Sequence, residues 1–144
     1  MYRARRPFHP QRFYDRTQQV WPGVLRSKGY FWLATHPHEA ILWSQAGTAA
    51  RYEPAGLWWA SVPKEKWPDD PETLAAIQKH WQDGVGDARQ EIVLIGRDLD
   101  QAQLTKAFDA CLLTDTEMVA GPTTWMRWTN PFADWQLPNA DFGR

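Results

Sequence analysis

A chain of 144 residues with 43% apolar and 23% charged residues is one ordinary globular domain, and such a domain buries about 70% of the surface its unfolded chain exposes, so it needs no staple. The single cysteine, Cys111, excludes an internal disulfide framework and a cysteine-only zinc site. No apolar run approaches the ~18 residues of a membrane helix, and no apolar segment follows the basic N-terminus as a signal peptide requires, so a cytoplasmic protein is expected.

The net charge of −1 is unevenly spread. Up to position 28, seven cations (Arg3, Arg5, Arg6, Arg12, Arg16, Arg26 and Lys28) face one acid, Asp15, which gives +6 and leaves −7 for the remainder. Such asymmetry marks either a basic docking face or a basic strand and helix lying against acidic neighbours in the fold. Ten tryptophans are present, and Trp58 and Trp59 are adjacent, so they cannot both face one core from a strand.

In chain order, Tyr2 to Arg6 reads as a short extended segment. Phe8-His9-Pro10 opens a helix, with Pro10 at its first position and Phe8 and Phe13 as a hydrophobic staple. That helix is expected to reach about Val20, before Trp21-Pro22-Gly23. Leu25 to Thr35 is a strand whose centre, Tyr30 to Ala34, is continuously apolar. His36-Pro37-His38 reads as a turn, Ala40 to Gln45 as a strand, Ala46-Gly47-Thr48 as a turn, and Ala49 to Glu53 as the return strand. Pro54-Ala55-Gly56 breaks it, and Leu57 to Ala60 forms another short strand. After a loop, Asp70 caps a helix that has Pro71 at its first position and Leu74, Ile77 and Trp81 at helical spacing.

Gly84 and Gly86 end that helix, and Arg89 to Ile95 is a strand. Asp100 and Gln103 resemble a capping box, with Leu99 and Leu104 as its staple. Leu104, Phe108, Cys111 and Leu112 share a face of the helix that follows. Thr114 onward reads as a tail carrying Trp125, Trp128 and Trp135. The expected fold is therefore α+β, a ferredoxin-like βαββαβ-type antiparallel sheet with helices on one face, plus an extra hairpin strand and a C-terminal helix or tail. Residues 1–120 form this domain, and 121–144 form a Trp-containing tail packed on it.

Five collinear blocks carry a family resemblance. They are Arg3 to Phe13, Leu25 to Thr35, Trp43 to Gly47, Gly86 to Gly96 and Asp109 to Thr114, followed by Asn130-Pro131-Phe132 and Trp135. Together they resemble the C-terminal domain of CobW-type metal-chaperone GTPases. That family joins the domain to an N-terminal P-loop GTPase domain and is implicated in delivering zinc, cobalt or iron. The resemblance implies metal homeostasis as the setting. The sequence contains no G-x-x-x-x-G-K-[ST] phosphate loop, and one cysteine cannot supply the C-x-C-C metal motif of the family's GTPase domain.

The candidate function is thus a non-catalytic interaction module that contacts a client metalloprotein, a CobW-type GTPase or a second copy of itself as a homo-oligomer. Its expected contact residues are Arg5, Arg6, Arg12, Arg16, Trp32 and Trp43, on a basic first helix and an aromatic sheet face. The alternative is a direct zinc site at His36, His38 and Glu39, ligand types that suit zinc; otherwise no cofactor is expected. Cys111 lies on an apolar helix face and reads as a small hydrophobe, not as the nucleophile of a pair with His80. Asp115 and Glu117 read as solvated acids. A slightly acidic chain without an RNP-type run argues against nucleic acid as a partner.

Overall fold

The computed structural model describes residues 1–132 apart from Val20 and Thr48; the expected end of the first helix at Val20 and the tail residue Trp135 lie outside the described residues. Five strands, β1 (Tyr2–Ala4), β2 (Val24–Leu33), β3 (His36–Ala46), β4 (Ala49–Leu57) and β5 (Gln90–Gly96), form one antiparallel sheet in the order β1-β5-β2-β3-β4. The helices are α1 (Pro10–Thr17), α2 (Pro71–Lys79), α3 (Gln101–Asp109), α4 (Asp115–Ala120) and α5 (Pro122–Trp125). This is the expected α+β, ferredoxin-like class. Strand β5 lies between β1 and β2, so β1-α1-β2 is a split crossover, and β2-β3-β4 is the meander that short turns require.

The helix starts follow local chemistry. His9 caps α1, its Nδ1 accepting from the Gln11 and Arg12 amides at 3.2 and 3.4 Å. The staple around that cap is a stacked pair, with Phe8 and Phe13 ring centres 4.3 Å apart. Asp70 caps α2 through the Thr73 amide, and Asp100 caps α3 through the Gln103 amide. Trp81 falls two residues beyond the end of α2.

Three boundaries move. The β2–β3 turn is Ala34-Thr35, so His36 to Glu39 open strand β3 and are not a turn. Strand β4 continues through Pro54, which stands opposite Ile41, and the register shifts just beyond it, where Ala40 pairs with Gly56 and Ala55 is passed over. As the outer strand, β4 tolerates a proline there. Past Leu57 the chain forms a 3₁₀ turn, Trp59–Ser61, instead of a further strand.

The main core lies on the face covered by α1 and α3. Phe31, Ile41, Trp43 and Ile92 from the sheet meet Phe8, Phe13 and Phe108, all at most 1% exposed. Helix α2 adjoins the opposite face, where its Ile77 shares a cavity wall with Tyr30 and Ala40. The single expected helical layer therefore describes α1 and α3. A smaller cluster of Trp32, Ala40, Trp58 and Ala88 fills that second side.

Gln90, fully buried, ties three segments together. Its Nε2 donates to the carbonyls of Trp32 (2.7 Å) and Arg6 (3.0 Å), and its Oε1 accepts from the Trp32 amide (2.9 Å). The Trp32 carbonyl also accepts from the Phe8 amide. Gly29 lets β5 approach closely, since a Cβ there would stand 2.0 Å from the Glu91 carbonyl oxygen.

Residues 114–132 form defined structure. Thr114 and Glu117 form a complete capping box on α4. Asp115 pairs with Arg6, and Glu117 takes both prongs of Arg12. Arg6 and Arg12 also donate to the carbonyls of Leu113 (3.0 Å) and Leu112 (3.2 Å). Trp125 is 4% exposed, Phe132 joins the main core, and Trp128 stacks on His9 with ring centres 5.0 Å apart.

Replacing Gln90 with Met keeps volume but leaves buried main-chain groups unsatisfied, so stability should fall by roughly 2–4 kcal/mol, read as a lowered urea midpoint with unchanged slope. The Arg12 hydrogen bonds hold the Glu117 carboxyl down at about 2, against an ordinary 4.5. A depressed carboxyl contributes stability that is complete above its unfolded pKa and lost as pH falls. The stability gap between the native chain and Glu117→Gln, which keeps the cap, should therefore close between about pH 4.5 and about pH 2. Urea titrations at stepped pH check this.

Candidate functional site

The expected zinc ligands do not converge. In an extended strand His36 and His38 share a side and Glu39 takes the other. His36 Nδ1 lies 3.3 Å from Thr35 Oγ1, and burial lowers its pKa. His38 Nδ1 bonds Ser61 Oγ at 2.9 Å. Burial raises the Glu39 pKa, and its Oε2 has no hydrogen-bond partner among the described residues. No group of three or more His, Cys, Asp or Glu side chains that could hold a metal occurs among the described residues, and a structural zinc needs four ligands.

Cys111 is buried. Burial pushes its thiol up to about 11, and its Sγ lies 3.5 Å from the carbonyls of Arg12 and Ala107.

The expected contact residues are largely engaged inside the fold. Trp43 is 1% exposed with its Nε1 donating to Ser27, and Trp32 is 5% exposed with its Nε1 donating to the Pro37 carbonyl. Neither indole is available at the surface. Arg6 and Arg12 are neutralised by the acids of α4, and Arg16 donates to Gln19. The acids read as solvated are thus the partners of the basic N-terminus. Arg5 donates to the carbonyls of Gly86 (3.1 Å) and Ala88 (3.4 Å).

Positive charge remains elsewhere. A concavity of about 430 Å³ lies among β1, β5 and the end of α2, lined by Arg3, Arg5, Lys79, His80, Arg89 and Glu91. Glu91 is the one acid in this wall, and it is shared: Arg89 reaches it at 3.2 Å and Arg3 at 3.6 Å. Four permanent cations therefore face one carboxylate. The crowding registers on its members. Burial, and after it the charge of Arg89, lowers both Arg5 and His80 from their ordinary values.

His80 and Arg89 also border a second cavity, of about 280 Å³, walled by Tyr30, Ala40, Trp58, Trp59 and Ile77. Its wall is held in place. Asp87, 5% exposed, accepts from the Trp59 and Ala60 amides, both at 2.9 Å. The Trp58 Nε1 is buried without a partner among the described residues. An aromatic cavity and a cationic one thus meet at His80 and Arg89. Arg3 was legible as part of a basic run. Lys79 and His80 at the end of α2 and Arg89 just before β5 carry no local signal, because they meet Arg3 only in the folded chain.

Residues 1–112 match the family described as the cobalamin synthesis protein cobW C-terminal domain. The chain is 35% identical over 135 residues to a zinc-regulated GTPase metalloprotein activator 1 of Dictyostelium discoideum, covering 91% of this chain and 28% of that protein. It is 34% identical over 133 residues to a zinc chaperone of Mycobacterium tuberculosis, covering 92% of this chain and 33% of the relative. The chain thus spans about a third or less of the length of these relatives. No solved structure matches it. With the blocks read in the sequence and the family match over residues 1–112, the chain belongs to the cobW C-terminal domain family.

Proposed function

We propose that this chain is a non-catalytic docking module of metal homeostasis, which contacts a GTPase of its own family or a metalloprotein client. One observation carries the reading. The β1–β5–α2 concavity gathers four permanent cations around one carboxylate, Glu91, which Arg3 and Arg89 share, whereas Arg6 and Arg12 each have an acid of their own. A protein that needed this charge for its own packing would pair it, as it pairs Arg6 and Arg12. Complementary charge at a contact raises the rate of encounter and selects among partners. The relatives named as a zinc-regulated activator and a zinc chaperone give the setting. The absence of a phosphate loop in the sequence leaves GTP hydrolysis to another polypeptide segment. No helix among the described residues is long and apolar enough to cross a membrane.

Calorimetric titration of the purified chain with a cobW-family GTPase domain from the same cell should give saturable heat, and with it no GTP turnover by the chain alone. Binding should weaken as salt rises toward 1 M, where the screening length falls to about 3 Å. No heat with either a family GTPase or a zinc-dependent client would sink the reading. Zinc titrations of the native chain and of the His36→Ala, His38→Ala double variant should be superimposable, because these side chains do not complete a ligand set. A loss of zinc affinity in the variant would favour direct metal binding instead.

A further inference from the structure

We infer that the paired cavities bind a short acidic peptide segment of the partner, with its carboxylates at Arg3 and Lys79 and one apolar side chain in the Tyr30–Trp58–Ile77 cavity. This rests on the docking reading above and specifies its ligand. The cations of the concavity differ in what already holds them. Both Arg5 hydrogen bonds go to main-chain carbonyls, and Arg89 is divided between Glu91 and the Asp87 carbonyl. Arg3, whose Nε lies 3.6 Å from Glu91 but whose side chain is 67% exposed, and exposed Lys79 are the accessible heads. They stand on different elements, β1 and the last turn of α2.

Separated single cations suit separated carboxylates. A phosphate or phosphate chain is better held by guanidinium forks converging on one point. Glu91 within the same wall further disfavours a dense polyanion. The neighbouring cavity supplies the second half of the recognition. Tyr30 and Ala40 come from the sheet, Trp58 from the chain after β4, and Ile77 from α2, so the cavity is bounded on several sides by apolar groups. Its volume of about 280 Å³ admits a Leu- or Phe-sized side chain. Its border with the cationic concavity, at His80 and Arg89, places such a side chain next in sequence to an acid.

The test uses fluorescein-labelled synthetic peptides of Asp and Glu around a single Leu, followed by anisotropy on the whole chain. The Leu peptide should bind, and replacing Leu with Gly should weaken it roughly tenfold, from the lost apolar burial. Arg3→Glu with Lys79→Glu should weaken it about tenfold or more, whereas Arg97→Glu should not. Arg3 and Lys79 lie outside the core, and an unchanged urea midpoint confirms that the double variant folds. Equal binding by native and charge-reversed chains would overturn the inference, as would tighter competition by inorganic polyphosphate or a short RNA than by the acidic peptide. The same variants are then titrated with the family GTPase domain. If that binding persists while no acidic peptide binds, docking stands and the acidic-segment ligand falls. If neither binds, both fall.

Discussion

The side-chain amide of Gln90 stands where three pieces of chain would otherwise have incompatible hydrogen-bonding needs. The regular β2–β5 ladder ends at Tyr30 and Glu91. Beyond it the main chain of Trp32 still requires an acceptor and a donor in a region without water. Gln90 supplies both, and adds a donor for Arg6. A carboxylate could accept but not donate; a hydrocarbon could do neither. Once this junction is closed, Phe8 is held against the end of β2, and its ring can stack on Phe13. The position of α1 on the aromatic core follows from it. So does the path of β1 beside β5, and therefore the place of Arg3 and Arg5.

The charge asymmetry of the sequence resolves into two populations with different fates. The arginines nearest α1 are held by Asp115 and Glu117, acids more than a hundred residues away. That pairing packs α4 against the start of the domain, and the neighbouring Trp125 and Phe132 add apolar burial. Exposed ion pairs contribute little to stability. A two-pronged guanidinium–carboxylate contact with a capped helix behind it is a firmer join. The cations of β1, β5 and α2 have no comparable acid. Of the cations in the first 28 residues only Arg3 and Arg5 enter the concavity, where Lys79 and Arg89 join them from distant parts of the chain.

What the sequence disclosed was local. Helix caps were legible because a cap is settled within four residues, as at His9, Asp70 and Asp100. Thr114-x-x-Glu117 carries the same signal for α4, but little apolar periodicity follows it, so the stretch reads as a tail. The β2–β3 turn was displaced because Pro37 looks like a turn residue, whereas the Leu33–His36 pairing closes the hairpin earlier. Pro54 misled for the converse reason, since edge position rescues a residue that a central strand would reject. Trp32 and Trp43 were right as aromatic sheet residues, but exposure is a property of what packs on a sheet, and the sequence does not print that. The concavity is illegible because its walls come from positions 3, 79 and 89, which meet only through strand order and the docking of α2.

The walls of the two cavities owe their shape to a backbone constraint and not to their own side chains. Gly86 adopts φ +68°, and a Cβ there would lie 2.4 Å from the Ala60 Cβ and 3.2 Å from the Trp81 ring. Only glycine lets the 82–86 turn sit against both segments at once. From that close approach, the Gly86 and Ala88 carbonyls face the Arg5 guanidinium, and Asp87 between them faces the first amides of the 3₁₀ turn. Arg5 on the cationic side and Trp59 on the aromatic side are thus fixed by the same three residues. The Arg5 side of the concavity and the aromatic wall are preorganised together, and an occupant has only the exposed Arg3 and Lys79 side chains left to order. That is the property expected of a recognition site, and it separates this concavity from the scattered charge elsewhere on the sheet, where no comparable main-chain clamp holds Arg26 or Lys28 among the described residues.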